Sequence, residues 1–256
     1  MLKWKLMLTT LPFVLVVTGI KTFLEYGVGF SGVVEFSDVG VVLTGAVFLT
    51  GFLLAGTMSD YKESEKLPGE VATHLEAIEE MFILGNMIKP DVDRKVMQKH
   101  VLTLTDAIRD WLVKKQTTPQ VFAALTAISD TFAYLVQHGA SSTAGYALSP
   151  LDKLRKAVSR IDVISRTGFL PPAYALLEVL LTMVLTLMMF AKFKNAVAEF
   201  VIVPTVALLN IYMLRLIKDI DDPFDFATDG SKRGGAEVDL FPIDEYRARL
   251  AARIGN

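Results

Sequence analysis

Residues 39–58 read VGVVLTGAVFLTGFLLAGTM, an apolar stretch without a charged side chain. A helix that crosses the ~30 Å hydrocarbon core of a bilayer needs about 20 such residues. Three further runs of similar length carry at most one charged residue each: Leu6–Ile20, Ala173–Ala191 and Val197–Leu214. We therefore expect an all-α integral membrane protein, with four transmembrane helices in two pairs and a cytosolic helical domain between the pairs.

The composition agrees with a chain that is only partly embedded. Apolar residues make up 52% of the chain and the mean hydropathy is +0.43, which is high for a soluble domain. Charged residues make up 21%, which is too many for a protein that lies wholly within the membrane. The charges gather outside the apolar runs, which predicts four segments: transmembrane helices 1 and 2 (1–58), a cytosolic helical domain (59–168), transmembrane helices 3 and 4 (169–216) and a cytosolic acidic tail (217–256).

Several function classes are excluded or disfavoured. The chain has no cysteine, which rules out disulfides, thiolate metal sites and thiol nucleophiles. No basic face for nucleic acid is visible, and no phosphate-binding, serine-hydrolase or zinc-protease motif is present. We therefore expect no enzyme. The first apolar run is expected to be a retained helix, because Lys21 and Thr22 stand where a signal-peptide cleavage site would need small residues.

The distribution of basic residues predicts the orientation. The connection Phe23–Asp38 holds Glu25, Glu35 and Asp38 but no lysine or arginine, and only Lys21, Lys192 and Lys194 of the 26 basic residues lie on its side. Lysine and arginine concentrate on the cytoplasmic side of membrane proteins. Both termini should thus be cytoplasmic and both short loops outside. The lack of an organelle-targeting segment favours a bacterial inner membrane.

The polar middle has the pattern of amphipathic helices. Between Asp60 and Ile88 the apolar residues recur every three or four positions, at Leu67, Val71, Leu75, Ile78 and Phe82. Prolines predict three further helix starts, at Pro90, Thr118-Pro119 and Ser149-Pro150. Gly139–Gly145 is expected to be a loop.

The second apolar run is the best candidate for a functional surface. It is rich in glycine, which lets membrane helices approach closely, and Thr44, Phe48 and Phe52 fall on one face at a spacing of four. Several copies around an axis would line a narrow apolar throat with these residues, and such constrictions can gate by dewetting. The alternative is that the aromatic stripe packs against other helices.

Short motifs in and after this run resemble the bestrophin channels and the bacterial bestrophin-like membrane family. They are Phe48-x-x-Gly51-Phe52, then Glu65-x-Leu67-Pro68, and the acidic DIDDPFDF at 219–226 after the fourth run. The chain departs from the family at Ser59-Asp60-Tyr61 and at Thr44, as a distant member would. The resemblance implies a pentameric ring with the second helix innermost, and passive ion conduction.

The acidic run has two interpretations. By the resemblance it would hold Ca²⁺, with oxygen ligands from Asp219, Asp221, Asp222, Asp225 and Asp229. Alternatively it is a solvated exit from the membrane, because Ala227 and Ala236 occupy two ligand positions of a calcium loop that would begin at Asp225. The three histidines fall on separate helices, so no metal site is expected from His74, His100 and His138.

Polar residues within the last two apolar runs are few. Glu178, Asn210 and Arg215 stand in or beside them, and an ionisable residue at such a depth should face protein or water. We expect Glu178 to pair with Arg215 or to bind an ion. No inverted repeat of the transporter type is visible.

The function expected from the sequence is an oligomeric ion channel whose partners are its own copies, the lipid bilayer and inorganic ions. The outer lysines favour anions such as chloride, whereas Glu25, Glu35 and Asp38 argue for cations. A non-conducting membrane scaffold or sensor, whose cytosolic helices bind a partner, is the alternative.

Overall fold

The computed structural model describes residues 2–168 and 171–255. This part of the chain is almost entirely helical. Its elements are α1 (Leu2–Thr22), a π-helical turn (Phe23–Gly27), β1 (Val34–Glu35), α2 (Phe36–Ser64), α3 (Leu67–Ile88), α4 (Arg94–Leu112), α5 (Thr118–Gln137), α6 (Ser141–Arg166), α7 (Pro171–Phe190), β2 (Ala191–Lys192), α8 (Ala196–Asp221) and α9 (Phe241–Gly255).

The chain forms two compact units. The first contains Met1–Tyr61, Gly168–Asp222 and Gly234–Ala236, and the second contains Lys62–Thr167, Pro223–Arg233 and Glu237–Asn256.

In the first unit, α1 packs along α8, and α7 contacts both of them. Four helical stretches of the described chain are long and apolar enough to cross a membrane, which confirms the prediction of an all-α membrane protein with four spanning helices. Threonines within these helices donate their hydroxyls to the carbonyl oxygen four residues earlier, as Thr10, Thr44 and Thr50 do at 2.7 to 2.8 Å. Each hydroxyl is thereby satisfied within its own helix and needs no partner from outside it.

A short parallel ladder ties the start of α2 to the end of α7. Val34 is the register partner of Ala191, and Glu35 that of Lys192. Gly32 precedes the ladder with a φ of +81°, and a Cβ there would lie 2.7 Å from the carbonyl oxygen of Ala191. Only glycine therefore fits at this point. Below the ladder, α2, α7 and α8 share an apolar core of Val39, Ala46, Val184, Met188, Ala191 and Val206.

The second unit is a helical bundle. Here α3 packs most extensively on α6, α4 packs on α5, and α9 lies against α3 and α4. The apolar stripe predicted on α3 is buried, with Val71, Leu75, Ile78 and Phe82 fully enclosed. The predicted helix start at Thr118-Pro119 is confirmed, with Thr117 and Gln120 forming a capping box.

Two predicted helix starts are wrong. Helix α4 begins at Arg94 rather than at Pro90, because the Asp93 carboxylate accepts from the backbone nitrogens of Lys95 and Val96. Pro150 lies inside α6, which already begins at Ser141 within the expected loop. The proline removes one backbone hydrogen bond, and burial of the neighbouring Ala147 and Leu151 outweighs that loss.

Candidate ion-conduction site

Helix α2 has two distinct faces. Val39, Ala46 and Thr57 are buried, whereas Phe48 and Phe52 keep 72% and 70% of their surface exposed. The exposed face also carries Val41, Thr44, Gly45 and Ala55. The structure thus places the three sequence-predicted residues on one face of α2, which no other described segment of this chain covers.

The glycines of α2 leave this helix open to close approach. A Cβ built on Gly40, Gly45 or Gly51 would meet no heavy atom within 4 Å. These glycines are therefore not needed for packing inside the chain. Small residues at such positions allow a second helix to pack closely in a bilayer.

A buried charge cluster lies at the end of the first unit where α1 ends. The Lys21 side chain is only 2% exposed, and its Nζ lies 2.9 Å from Glu25 Oε2 and 3.7 Å from Glu199 Oε1. It also donates to the carbonyl oxygen of Ala191 at 3.0 Å. One ammonium group thus joins α1, the first turn of α8 and the ladder that precedes α2.

This cluster changes the interpretation of the outer charges. Lys21 is enclosed and paired with two carboxylates, so it cannot attract anions from solution. Lys192 and Lys194 are exposed. The sequence could not identify the contact, because Lys21 and Glu199 are far apart in the chain.

The pairing predicted for Glu178 is wrong. Glu178 Oε1 lies 2.7 Å from Lys218 Nζ. Arg215 instead donates to the Thr9 carbonyl oxygen at 2.6 Å and stacks over the Phe13 ring at 5.6 Å. Lys218 lies one turn beyond the end of the apolar run Val197–Leu214. Its flexible aliphatic side chain can therefore reach back to Glu178.

Asn210, the third predicted intramembrane polar residue, is satisfied within its own helix. Its Nδ2 donates to the Val206 carbonyl oxygen at 2.9 Å. The structure therefore does not bring Glu178, Asn210 and Arg215 together as one site.

The aspartates of the acidic run take protein partners. Asp219 accepts from the Gly235 backbone nitrogen at 3.0 Å. Asp225 binds Lys114 Nζ at 2.5 Å, and Lys114 keeps a left-handed backbone with a φ of 59°.

Asp229 accepts from Ser231 at the end of the same run. The hydroxyl and the backbone nitrogen of Ser231 donate at 2.6 and 2.9 Å, and these bonds hold the pKa of the Asp229 carboxyl below its usual value. Asp221 ends α8 and Asp222 caps it.

The structure does not assemble the calcium site that the resemblance implied. Within residues 2–168 and 171–255, no group of three or more histidine, aspartate or glutamate side chains is arranged to hold a metal ion. Two histidines have protein partners: His100 Nδ1 lies 2.8 Å from Thr131 Oγ1, and His138 Nδ1 lies 2.8 Å from the Tyr134 carbonyl oxygen.

The second unit also contains a buried polar network that was not predicted from the sequence. The Glu79 carboxylate is 2% exposed. It accepts hydrogen bonds from Arg253 Nε and Nη2, from Gln98 Nε2 at 2.7 Å and from the Tyr246 hydroxyl at 3.2 Å. Burial, and then the charge of Glu79, raise the pKa of Tyr246 above its ordinary value. The network fastens α9 to α3 and α4. This helix lies in the segment that was predicted only as an acidic tail, and the spacing of Ile243, Tyr246 and Leu250 is the sequence signal that could have revealed it.

Solved structures of a bacterial bestrophin homologue have a similar arrangement of helices. The structure of the bacterial bestrophin homologue from Klebsiella pneumoniae superimposes with a TM-score of 0.74 at 14% sequence identity, covering 98% of this chain and 99% of that one. A variant of the same homologue gives a TM-score of 0.75 at 14% identity, covering 95% of this chain and 98% of that one. This chain has the bestrophin fold. The fold that the resemblance of the sequence motifs implied is thereby confirmed. Neither models of protein families nor curated protein sequences give a match.

Proposed function

We propose that this protein is a passive ion channel, a ring of five identical chains whose axial path is lined by α2. The observation that carries the proposal is the exposed face of α2, in a chain that has the bestrophin fold along nearly its whole length. A single copy encloses no path, whereas copies arranged around an axis would enclose one between their α2 helices. The pentamer itself comes from the family resemblance.

Thr44, Phe48 and Phe52 would form the narrowest part of that path. They stand at successive turns, about 6 Å apart along the helix axis. Rings of phenylalanine a few ångströms wide exclude water, so an ion meets a dehydration barrier there. Thr44 contributes little polarity, since its hydroxyl is bonded to the Gly40 carbonyl oxygen at 2.8 Å.

Flux measurements in liposomes test this lining. Replacing Phe48 and Phe52 together with alanine removes both rings, which should widen and wet the throat and raise the ion flux. The oligomer should stay intact, because no backbone hydrogen bond is lost. Phe23→Ala is the matched control, since Phe23 is 66% exposed but lies outside α2. It should leave the flux unchanged. Equal flux from the double variant and the parent, at equal insertion, would mean that these rings only pack.

The ring is tested by native mass measurement of the protein in detergent. We expect five copies, in which the open glycine face of α2 is covered by neighbouring chains. A monomer would exclude the channel altogether.

The orientation follows from the basic residues. Asp60–Arg166 and both termini lie on the cytoplasmic side of a bacterial inner membrane. The chain lacks cysteine, so Ser142→Cys on the exposed start of α6 introduces a unique thiol. An impermeant thiol reagent should label it only after the cells are opened. Labelling in intact cells would reverse the orientation.

A second candidate function is a non-conducting scaffold or sensor that binds a partner through the second unit. Large apolar side chains are exposed there where α3 ends and α6 begins: Met87 74%, Ile88 50%, Tyr146 70% and Leu148 56%. Such a patch is typical of interaction surfaces. A purified ring without any ion flux would favour this candidate.

The family resemblance and the outer lysines favour an anion such as chloride as the conducted ion. Of these lysines, Lys21 is enclosed and already paired with carboxylates. Lys192 is the register partner of Glu35. The case for an anion therefore rests on the resemblance and on the exposed Lys192 and Lys194.

A further inference from the structure

We infer that the ion pair of Glu178 and Lys218 binds the headgroup of a zwitterionic phospholipid that carries a primary ammonium group, as phosphatidylethanolamine does. The pair joins α7 to α8 within the first unit, with Lys218 Nζ 2.7 Å from Glu178 Oε1. Both residues lie near the predicted inner ends of their helices, Glu178 shortly after Ala173 begins one apolar run and Lys218 shortly after Leu214 ends the other. The inference concerns the outer surface of the chain and does not depend on ion conduction.

This ion pair is unusual for spanning helices because it is exposed. The Glu178 side chain keeps 55% of its surface exposed and the Lys218 side chain 48%. Charged side chains of membrane helices normally face the protein interior or a water-filled cavity, because a charge in hydrocarbon is costly. An exposed pair at the inner edge of the apolar runs is therefore expected to take polar partners from outside the chain, and phospholipid headgroups lie at that level.

The pair has unused hydrogen-bonding capacity of both kinds. An ammonium group has three N–H donors, and in the part of the chain that the structure describes Lys218 uses one of them, on Glu178. Within the same residues Glu178 Oε2 accepts no hydrogen bond, since the contact with Lys218 is made through Oε1. A phosphate oxygen can therefore accept from Lys218 while a primary ammonium group donates to Glu178. The phosphatidylethanolamine headgroup carries these two groups a few bonds apart.

A shallow groove of about 520 Å³ runs from this carboxylate along α7. Its lining residues recur every three or four positions and span about 12 Å of the helix; they are Ala175, Glu178, Val179, Thr182 and Met183. Thr182 donates its hydroxyl to the Glu178 carbonyl oxygen at 2.8 Å, so apart from Glu178 the groove presents an apolar surface. An acyl chain of the lipid whose headgroup meets the ion pair can lie in this groove.

The ion pair distinguishes headgroups by charge and by hydrogen bonding. A choline headgroup has no N–H with which to donate to Glu178. An anionic glycerol headgroup has no cation at all, so its net negative charge would lie beside the carboxylate without compensation. The ethanolamine headgroup alone among these three satisfies both members of the pair.

Competition among these lipids tests the inference. The purified protein in detergent is mixed with equal amounts of phosphatidylethanolamine, phosphatidylcholine and phosphatidylglycerol, isolated again by size exclusion, and its bound lipids are counted by mass spectrometry. The parent should retain about fivefold more phosphatidylethanolamine than either other lipid, as expected for one exposed ion pair. Glu178→Gln should abolish the preference over phosphatidylcholine and raise the share of phosphatidylglycerol, because Lys218 then lacks a counter-charge. Asp152→Asn is the matched control, since it breaks an exposed ion pair with Lys156 in the second unit, and it should leave the ratios unchanged.

Two kinds of result would overturn the inference. Equal retention of the three lipids by the parent, or an unchanged preference in Glu178→Gln, would mean that the pair does not select a headgroup. Absence of bound lipid from the parent would mean that something else, such as a second copy of the chain, covers the pair. Neither result bears on ion flux, so the channel proposal would stand or fall separately. Melting temperatures equal to that of the parent ensure that the variants are compared as folded proteins.

Discussion

The ion pair between Glu79 and Arg253 gives the most quantitative prediction for stability. Glu79 is 2% exposed, whereas Arg253 is 33% exposed, and the two form a two-pronged bond between α3 and α9. Arg253→Met preserves most of the side-chain volume but leaves a buried carboxylate with only Gln98 and Tyr246 as donors. Glu79→Gln removes the same ion pair but leaves a cation that can reach water.

The two changes should therefore differ in cost. Removing one partner of a buried pair typically costs 3–5 kcal/mol, because an uncompensated charge stays buried. We expect about 3 kcal/mol for Arg253→Met, at the lower end because the arginine is partly solvated. Glu79→Gln should cost about 1.5–2 kcal/mol, at the lower end for a lost hydrogen bond to a charged group. The double variant should be more stable than Arg253→Met alone.

Tryptophan fluorescence during urea unfolding in detergent can measure this. The chain has two tryptophans, and Trp4→Phe leaves the buried Trp111 as the single reporter in α4, which contacts α9. The expected order of destabilisation is Arg253→Met, then the double variant, then Glu79→Gln. Equal losses for the two single variants, or a greater loss for Glu79→Gln, would refute the argument that the buried carboxylate dominates.

Three further predictions concern single contacts. Tyr246 has a raised pKa in the folded state, so it keeps its proton where the unfolded chain loses it; stability should fall above pH 10 by up to about 1.4 kcal/mol per pH unit, and Tyr246→Phe should remove that slope in alkaline unfolding curves. Asp93→Ala removes the cap of α4 and should cost about 1 kcal/mol in urea unfolding, whereas Asp91→Ala, at an exposed neighbouring position, should have little effect. Lys21→Met leaves Glu199 buried without its cation and should cost about 3–5 kcal/mol, seen as a lower melting temperature; an unchanged value would mean that the cluster contributes nothing.

The spanning helices could be predicted because their signal is local. Twenty consecutive apolar residues such as 39–58 have few alternatives to a membrane helix, whatever the rest of the chain does. Helical spacing alone also placed Thr44, Phe48 and Phe52 on one face of α2. Which faces meet lipid, protein or water depends on contacts far away in sequence, and spacing could not decide that.

The misplaced helix starts and ion pairs have a common cause, since each depends on competition between neighbours. Pro90 is compatible with a helix start, but the Asp93 carboxylate accepts from two backbone nitrogens of the first turn. The helix therefore begins after Asp93. Glu178 had Arg215 as a plausible partner by depth, and Lys218 reaches it instead. Lys21 looked like a solvent-exposed outer charge until folding brought Glu199 beside it.

The most direct test of the account is chemical block of the path at Thr44. Thr44→Cys and Thr205→Cys are matched, since both threonines are exposed on spanning helices and both donate to the carbonyl oxygen four residues earlier. A small, charged, water-soluble thiol reagent should abolish the ion flux of reconstituted Thr44→Cys protein and leave that of Thr205→Cys and the cysteine-free parent unchanged. Flux through Thr44→Cys that persists after the reagent, or an equal block of Thr205→Cys, would contradict a path lined by α2.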